Sequence, residues 1–142
     1  DYSSPVQVGS DVKWASKPNH LFNFGAGTNP APGHSASFKN DGTLWSWGYN
    51  SHGQLGVPSL GDTHQSSPVQ IPGTTWTSIG RVSYAFGATK SDGTLWTWGV
   101  NAIGTLGLNQ GGNPGVSRSS PTQIPGTNWS FVAADCKETL TC

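Results

Sequence analysis

Apolar positions along this chain come in short bursts, and no segment holds helical periodicity over three turns. The run Thr43-Leu44-Trp45-Ser46-Trp47-Gly48 is rich in β-forming residues. Asp41-Gly42 just before it predicts a tight turn, because glycine tolerates positive φ there. Small residues at 35–37, with Phe38 and Lys39, precede that turn, and Phe86 to Lys90 stand in the same place further on. Each unit thus predicts a hairpin: a small-residue strand, an Asp-Gly turn and a Trp strand. A Gly/Asn loop follows, then a shorter strand around Pro-Val-Gln-Ile, and a fourth beginning at Trp76 or Trp129. Both faces of the Trp strand carry apolar or small groups, as expected of a sheet packed between two neighbours. The pattern predicts an all-β fold of four short antiparallel strands per unit.

These units recur. Asp41 to Gly48 returns as Asp92 to Gly99, an offset of 51 residues, with a single Ser/Thr exchange. Behind each run stands a second signature, Asn50 to Gly56 and Asn101 to Gly107. A third, Ser66-Ser67-Pro68-Val69-Gln70-Ile71-Pro72-Gly73, is matched by Ser119 to Gly126 and has an earlier relative at 3–9. Trp14, Trp76 and Trp129 follow the three copies. Chance does not produce an eight-residue block with one conservative difference, and a period of this length marks propellers, solenoids or arrays. The seven tryptophans (Trp14, Trp45, Trp47, Trp76, Trp96, Trp98 and Trp129) are the expected repeat core, and Asp41-Gly42 and Asp92-Gly93 the expected turns.

Composition narrows the reading. At 142 residues the chain is one ordinary domain by length, with 33% hydrophobic and only 10% charged residues. Glycine and proline recur at fixed places in the repeat, so they mark turns in an ordered array. Net charge is zero and no run of Lys or Arg occurs, which argues against a nucleic-acid partner. No apolar stretch approaches the ~20 residues of a membrane span. The chain opens on Asp1 and contains no Met, which fits either a processed N-terminus or a piece of a longer chain. Cys136 and Cys142, the only cysteines, suggest one disulfide in an exported protein, with two unpaired thiols as the alternative.

The residues that carry chemistry form no catalytic pattern. Asp41 and Asp92 are explained by their turns, and the remaining carboxylates are scattered, with only Asp135 and Glu138 close together. His20, His34, His52 and His64 lack the spacing of a metal site, and His34 and His52 read as structural hydrogen-bonding residues. No nucleophile elbow or phosphate-binding glycine loop is present. Asn128-Trp129-Ser130 is a formal glycosylation sequon at a repeated, packed position. No enzyme activity, cofactor or metal is expected.

The segment from Lys39 to Gly56 resembles the repeat of the regulator-of-chromosome-condensation family through every signature position of Lys-x-Asp-Gly-Thr-Leu-Trp-x-Trp-Gly-x-Asn-x-x-Gly-Gln-Leu-Gly. Lys90 to Gly107 matches with Thr105 in place of Gln. The resemblance implies a β-propeller of four-stranded blades, commonly seven, whose loops bind partner proteins. Relative to that pattern the chain holds about 2.8 units: a first at 3–56, a second at 66–107 and a truncated third at 119–142. A seven-bladed ring would need roughly 360 residues. Trp14 to Asp41 spans 27 residues and Trp76 to Asp92 only 16, so the first unit carries an insertion within 17–33. The family's frequent His before the inner strand survives only as His34; Ala85 and Glu138 take the matching positions.

An open stack of blades leaves faces and strand edges uncovered, so the expectation is an incomplete or oligomer-completed propeller. The leading functional expectation is a non-enzymatic assembly subunit at the cell exterior or surface, contacting copies of itself or a separate protein. The alternative is a secreted protein-binding module of the β-lactamase-inhibitor type. It would act through loops at 17–33, 57–65 and 109–118, with Phe22, Phe24 and Arg118 as candidate partner-binding residues.

Overall fold

Asp41 dictates the first piece of local structure. Its Oδ1 accepts hydrogen bonds from the Thr43 amide at 3.0 Å and the Thr43 hydroxyl at 2.6 Å, and Thr43 Oγ1 in turn accepts from the Trp45 indole at 2.8 Å. Asp92, Thr94 and Trp96 repeat the chain of bonds at 3.0, 2.7 and 2.8 Å. Gly42 and Gly93 between them sit at φ +79° and +77°, where a side chain would be strained. The Asp-Gly-Thr-Leu-Trp motif is therefore a turn whose acid, hydroxyl and indole lock one another.

A computed structural model describes Trp14 and residues 33–82, 84–102, 104–109 and 116–130. They hold seven strands in two antiparallel sheets and one short 3-10 turn, Pro58–Leu60. The first sheet has the order β1 (His34–Phe38), β2 (Leu44–Gly48), β3 (Gln65–Gln70). Trp14 bridges Lys39 beside β1, the position that Trp76 takes opposite Lys90 in the second sheet. That sheet is complete, with the order β4 (Trp76–Val82), β5 (Ala85–Lys90), β6 (Leu95–Gly99), β7 (Arg118–Ile124). In both, the register of the Trp strand against the last strand slips once, between Ser46 and Gly48 and between Thr97 and Gly99. A bulge thus falls at the second Trp of each motif.

The sheets do not coincide with the sequence units. β3 belongs to the start of the second unit yet closes the first sheet, and β7 opens the third unit yet closes the second sheet. Each unit therefore begins by finishing its neighbour's blade, which ties successive blades covalently.

The core lies between the sheets. Ala36, Phe38, Leu44 and Ile71 of the first side meet Trp76, Phe86, Ala88 and Trp98 of the second, with Val57, Ile79 and Trp96 packed around them. Trp98 is fully buried, and its indole N–H donates to the Gln54 carbonyl at 3.1 Å across the gap. Gly56 makes this approach possible: a Cβ there would stand 2.7 Å from Trp98 Nε1. The second signature is explained alongside. Asn50 Oδ1 accepts from the Leu55 amide at 2.9 Å while Leu55 O accepts from Ser46 Oγ at 2.7 Å. Asn101, Leu106 and Thr97 repeat this at 3.1 and 2.9 Å. A buried Asn thus holds each Gly/Asn loop against its own Trp strand.

Candidate protein-interaction surface

The strand registers sort the functional side chains into two ends. At one end lie the Asp-Gly turns. Here Lys39 Nζ sits 3.7 Å from the Trp45 ring centre and 5.3 Å from that of Trp14. Lys90 Nζ sits 4.6 and 4.4 Å from Trp76 and Trp96. The ammonium groups are engaged by ring faces and the aspartates by their threonines, so this end satisfies its own charges. Hydrogen bonding from Thr43 and Thr94 holds the Asp41 and Asp92 carboxyls below their ordinary range.

The other end is different in kind. His34 pairs with Gly48 and Gly48 with Gln65; Ala85 pairs with Gly99 and Gly99 with Arg118, so all six share this end. It carries the longer connections, including the loop from Gly48 to Gln65. The rings of Tyr49 and His64 stack there at 4.6 Å, and His64 Nδ1 accepts from the Asn50 amide at 3.0 Å. Asn50 Nδ2 donates to the Gly61 and Thr63 carbonyls at 2.8 and 3.3 Å, which fixes the loop's return. Gly53 lies so close to Ser119 that a Cβ would meet its Cα at 2.5 Å, bringing the first blade's loop onto β7. Among the described residues this end gathers Arg81, Arg118, His34, His52 and His64 against one carboxylate, Asp62.

His34 is buried, and burial, followed by the charge of Arg81, lowers its pKa from 6.5 to about 4. Its ring meets Phe86 edge-on at 5.1 Å and lies parallel to Tyr84 at 6.3 Å, and Tyr84 also meets the exposed His52 at 6.3 Å. Arg81 is half-buried, and desolvation lowers its pKa as well.

The expected residues fall unevenly in this arrangement. Trp14, Trp45, Trp47 and Trp96 are half-buried, while Trp76 and Trp98 are buried. Trp129 departs from the expected packed position and is 41% exposed. Its amide bonds to Gly93 O as the Trp76 amide bonds to Gly42 O. The Lys and Trp strand that flank Trp14 and Trp76 have no counterpart beside it among the described residues. Arg118 stands half-buried on β7 at the loop end. Phe22, Phe24, Cys136 and Cys142 lie outside the described residues, as does nearly all of the expected insertion. Arg81 and Tyr84 went unnoticed in the sequence, since neither belongs to a repeated block. His52 and Tyr49 carried a usable signal: the second unit has Ile103 and Val100 there.

No helix among the described residues is long and apolar enough to cross a membrane, and they hold no group of three or more potential metal ligands.

Antiparallel sheets of three and four described strands, packed on a Trp-rich core, define the class as β-propeller blades. The family model for the regulator of chromosome condensation (RCC1) repeat matches residues 41–87 and 92–141, and the chain belongs to that family. It is 35% identical over 115 residues to the protein RCC2 homolog of Danio rerio, covering 77% of this chain and 22% of the relative. Human protein RCC2 is 39% identical over 97 residues, covering 64% of this chain and 17% of the relative. The chain thus spans about a fifth of the length of these relatives. Among solved structures, that of Prp20p from Saccharomyces cerevisiae, described with its binding to Gsp1p and histones, superposes with a TM-score of 0.57. That match has 18% identity and covers 80% of this chain and 27% of Prp20p.

These relatives correct two expectations. They are intracellular proteins, and Prp20p is described as a binder of Gsp1p and histones. The extracellular or surface assembly subunit, and with it the secreted inhibitor, is therefore withdrawn. The physical basis of that expectation was weak: low charge and two terminal cysteines suit an exported chain, but neither excludes another compartment.

Proposed function

We propose that this chain is a protein-binding section of an RCC1-type propeller and that it engages its partner through the loop end of the blades. One observation carries the reading: the two ends differ in how their polar groups are satisfied. The turn end consumes its charges internally, Asp with Thr and Lys with Trp. The loop end presents Tyr49, His52 and His64 on a connection fixed by the buried Asn50, with Arg81 and Arg118 on the strands beside it. Rigidly held loops with aromatic and arginine side chains are what protein recognition uses. Arg118 belongs to this surface, beside the Gly53 loop. Relatives that bind proteins support the class of partner, and the reading assigns no catalytic step to the chain.

Photo-crosslinking side chains placed at positions 52 and 60 on the loop end, and at 41 and 92 on the turn end, test it. Gsp1p, core histones and a cell extract are the baits. Crosslinks to a protein from 52 and 60 alone are expected. Crosslinks confined to 41 and 92, or none at all, would refute the assignment.

A further inference from the structure

At the loop end each blade contributes one buried polar group that is not accounted for among the described residues. His34 enters from the first residue of β1 and is only 2% exposed, yet its Nε2 is buried with no hydrogen-bond partner among the described residues. Arg81 enters from β4 of the other blade, opposite Phe86 in the ladder, and its Nε is likewise buried without a partner. Phe86 and Tyr84 lie against His34, and Tyr84 also meets the exposed His52. Among the described residues Arg81 forms no ion pair, although its charge is felt at His34.

Natural proteins rarely leave two neighbouring buried nitrogen groups unpaired, because each costs roughly 1–3 kcal/mol and a charged one more. Two such groups, contributed by different blades, adjoin the same ring: His34 meets Phe86 edge-on and Arg81 faces it across the β4–β5 ladder. What they lack is an acceptor, and what Arg81 lacks is a single negative charge.

We infer that these two groups receive a carboxylate side chain, Asp or Glu, from a protein partner, with Arg81 supplying the fork and His34 the second donor. This rests on the loop end being the binding surface, and it specifies the chemistry read there. A guanidinium presents parallel N–H groups that match the two oxygens of a carboxylate. The neutral imidazole, in the tautomer with hydrogen on Nε2, adds a donor without adding charge. One monoanion therefore balances the site. A phosphate dianion would bring a second negative charge beside Phe86 and Tyr84, where the two groups offer only one cation, and desolvating it would not be repaid.

The probe is a capped peptide of alternating Gly and Glu, with its Gly/Gln counterpart as control, titrated into the intact protein. Binding is read by calorimetry and by the imidazole nitrogen signals of His34. The Glu peptide is expected to bind and to shift the His34 signals, and the Gln peptide to do neither. Arg81→Gln should weaken binding about thirtyfold or more, as loss of one partner of a buried charge pair does. Arg81→Lys, which keeps the charge but not the fork, should fall between. Asp41→Asn, at the turn end, should change affinity little. Circular dichroism and thermal melting establish that each variant is folded. Unmoved His34 signals, equal binding of the Gln peptide, undiminished binding by Arg81→Gln, or inorganic phosphate binding as tightly as the Glu peptide would each overturn the inference. Crosslinks from positions 52 and 60 that persist through such a failure would leave the loop-end reading intact, while their absence would remove both.

Discussion

His34 and Asp92 both have lowered pKa values, His34 by burial and Asp92 by the hydrogen bonds of Thr94, and their effects on stability fall in different pH windows. Burial makes the folded state resist protonating His34, so its pKa falls from 6.5 to about 4. Between those values the unfolded chain binds the proton and the folded chain does not, so stability is complete above 6.5 and declines as pH falls towards 4. The full loss is about 3 kcal/mol at 1.4 kcal/mol per pH unit. Asp41 and Asp92, lowered by their threonine bonds, contribute stability that is present above 3.8 and lost only as pH falls through their lower folded values. Urea denaturation of the protein and of His34→Gln at pH 7, 5.5 and 4.5 checks the first window. The protein should lose stability across the series and the variant should lose markedly less; parallel losses would refute the assignment to His34. In a second series carried below pH 3.8, Asp92→Asn should lose less stability than the protein, since Asp41 alone of the two turn carboxylates remains to protonate.

The Lys–Trp clasp and the Gly–Trp contact are properties of paired strands, and their legibility differed. Alternation and the Asp-Gly signal gave the hairpins β1–β2 and β5–β6, because turn chemistry and β-forming residues act within a few positions. That Asn50 and Asn101 hold the loops was also within reach, since both recur at a fixed distance from Leu55 and Leu106. What could not be read was the partner of each sheet face. Nothing local says that Trp98 bonds to a residue 44 positions earlier or that Lys90 lies between two indoles. For the same reason the nearness of His34 to Arg81 was invisible: the two come from strands 47 residues apart and neither repeats. Two substitutions test these contacts. Lys90→Met keeps the methylenes over Trp76 and Trp96 and removes the charge, and should cost about 1 kcal/mol in urea denaturation. Gly56→Ala places a methyl against the Trp98 indole at positive φ and should cost about 2 kcal/mol or more. A neutral result for the second would mean that the blades can separate without penalty.

Such separation bears on how the blades unfold. Each sheet alone has few large aliphatic residues: its buried apolar groups are mainly Ala36, Phe38 and Leu44 on one side and Trp76, Phe86, Ala88 and Trp98 on the other. Neither set encloses the other's surface except by stacking, so the stability of this pair resides largely in the interface, as in a one-dimensional array of repeats. Trp98 is its centre, fully buried and bonded to Gln54 in the opposite blade. The loss of coupling, and not just of stability, is therefore the expected result of removing it. Trp98→Ala should cost about 3–5 kcal/mol and should also divide unfolding into two transitions. Trp98→Phe keeps most of the packing, loses the N–H donor, and should cost about 1–3 kcal/mol while remaining a single transition. Circular dichroism, with fluorine-labelled tryptophans resolving Trp45 from Trp96, follows each blade separately through the denaturation. If the two labels continue to melt together in Trp98→Ala, the interface is not what joins the blades. The covalent overlap, in which β3 and β7 close the sheets that precede their own sequence units, would then carry the cooperativity instead.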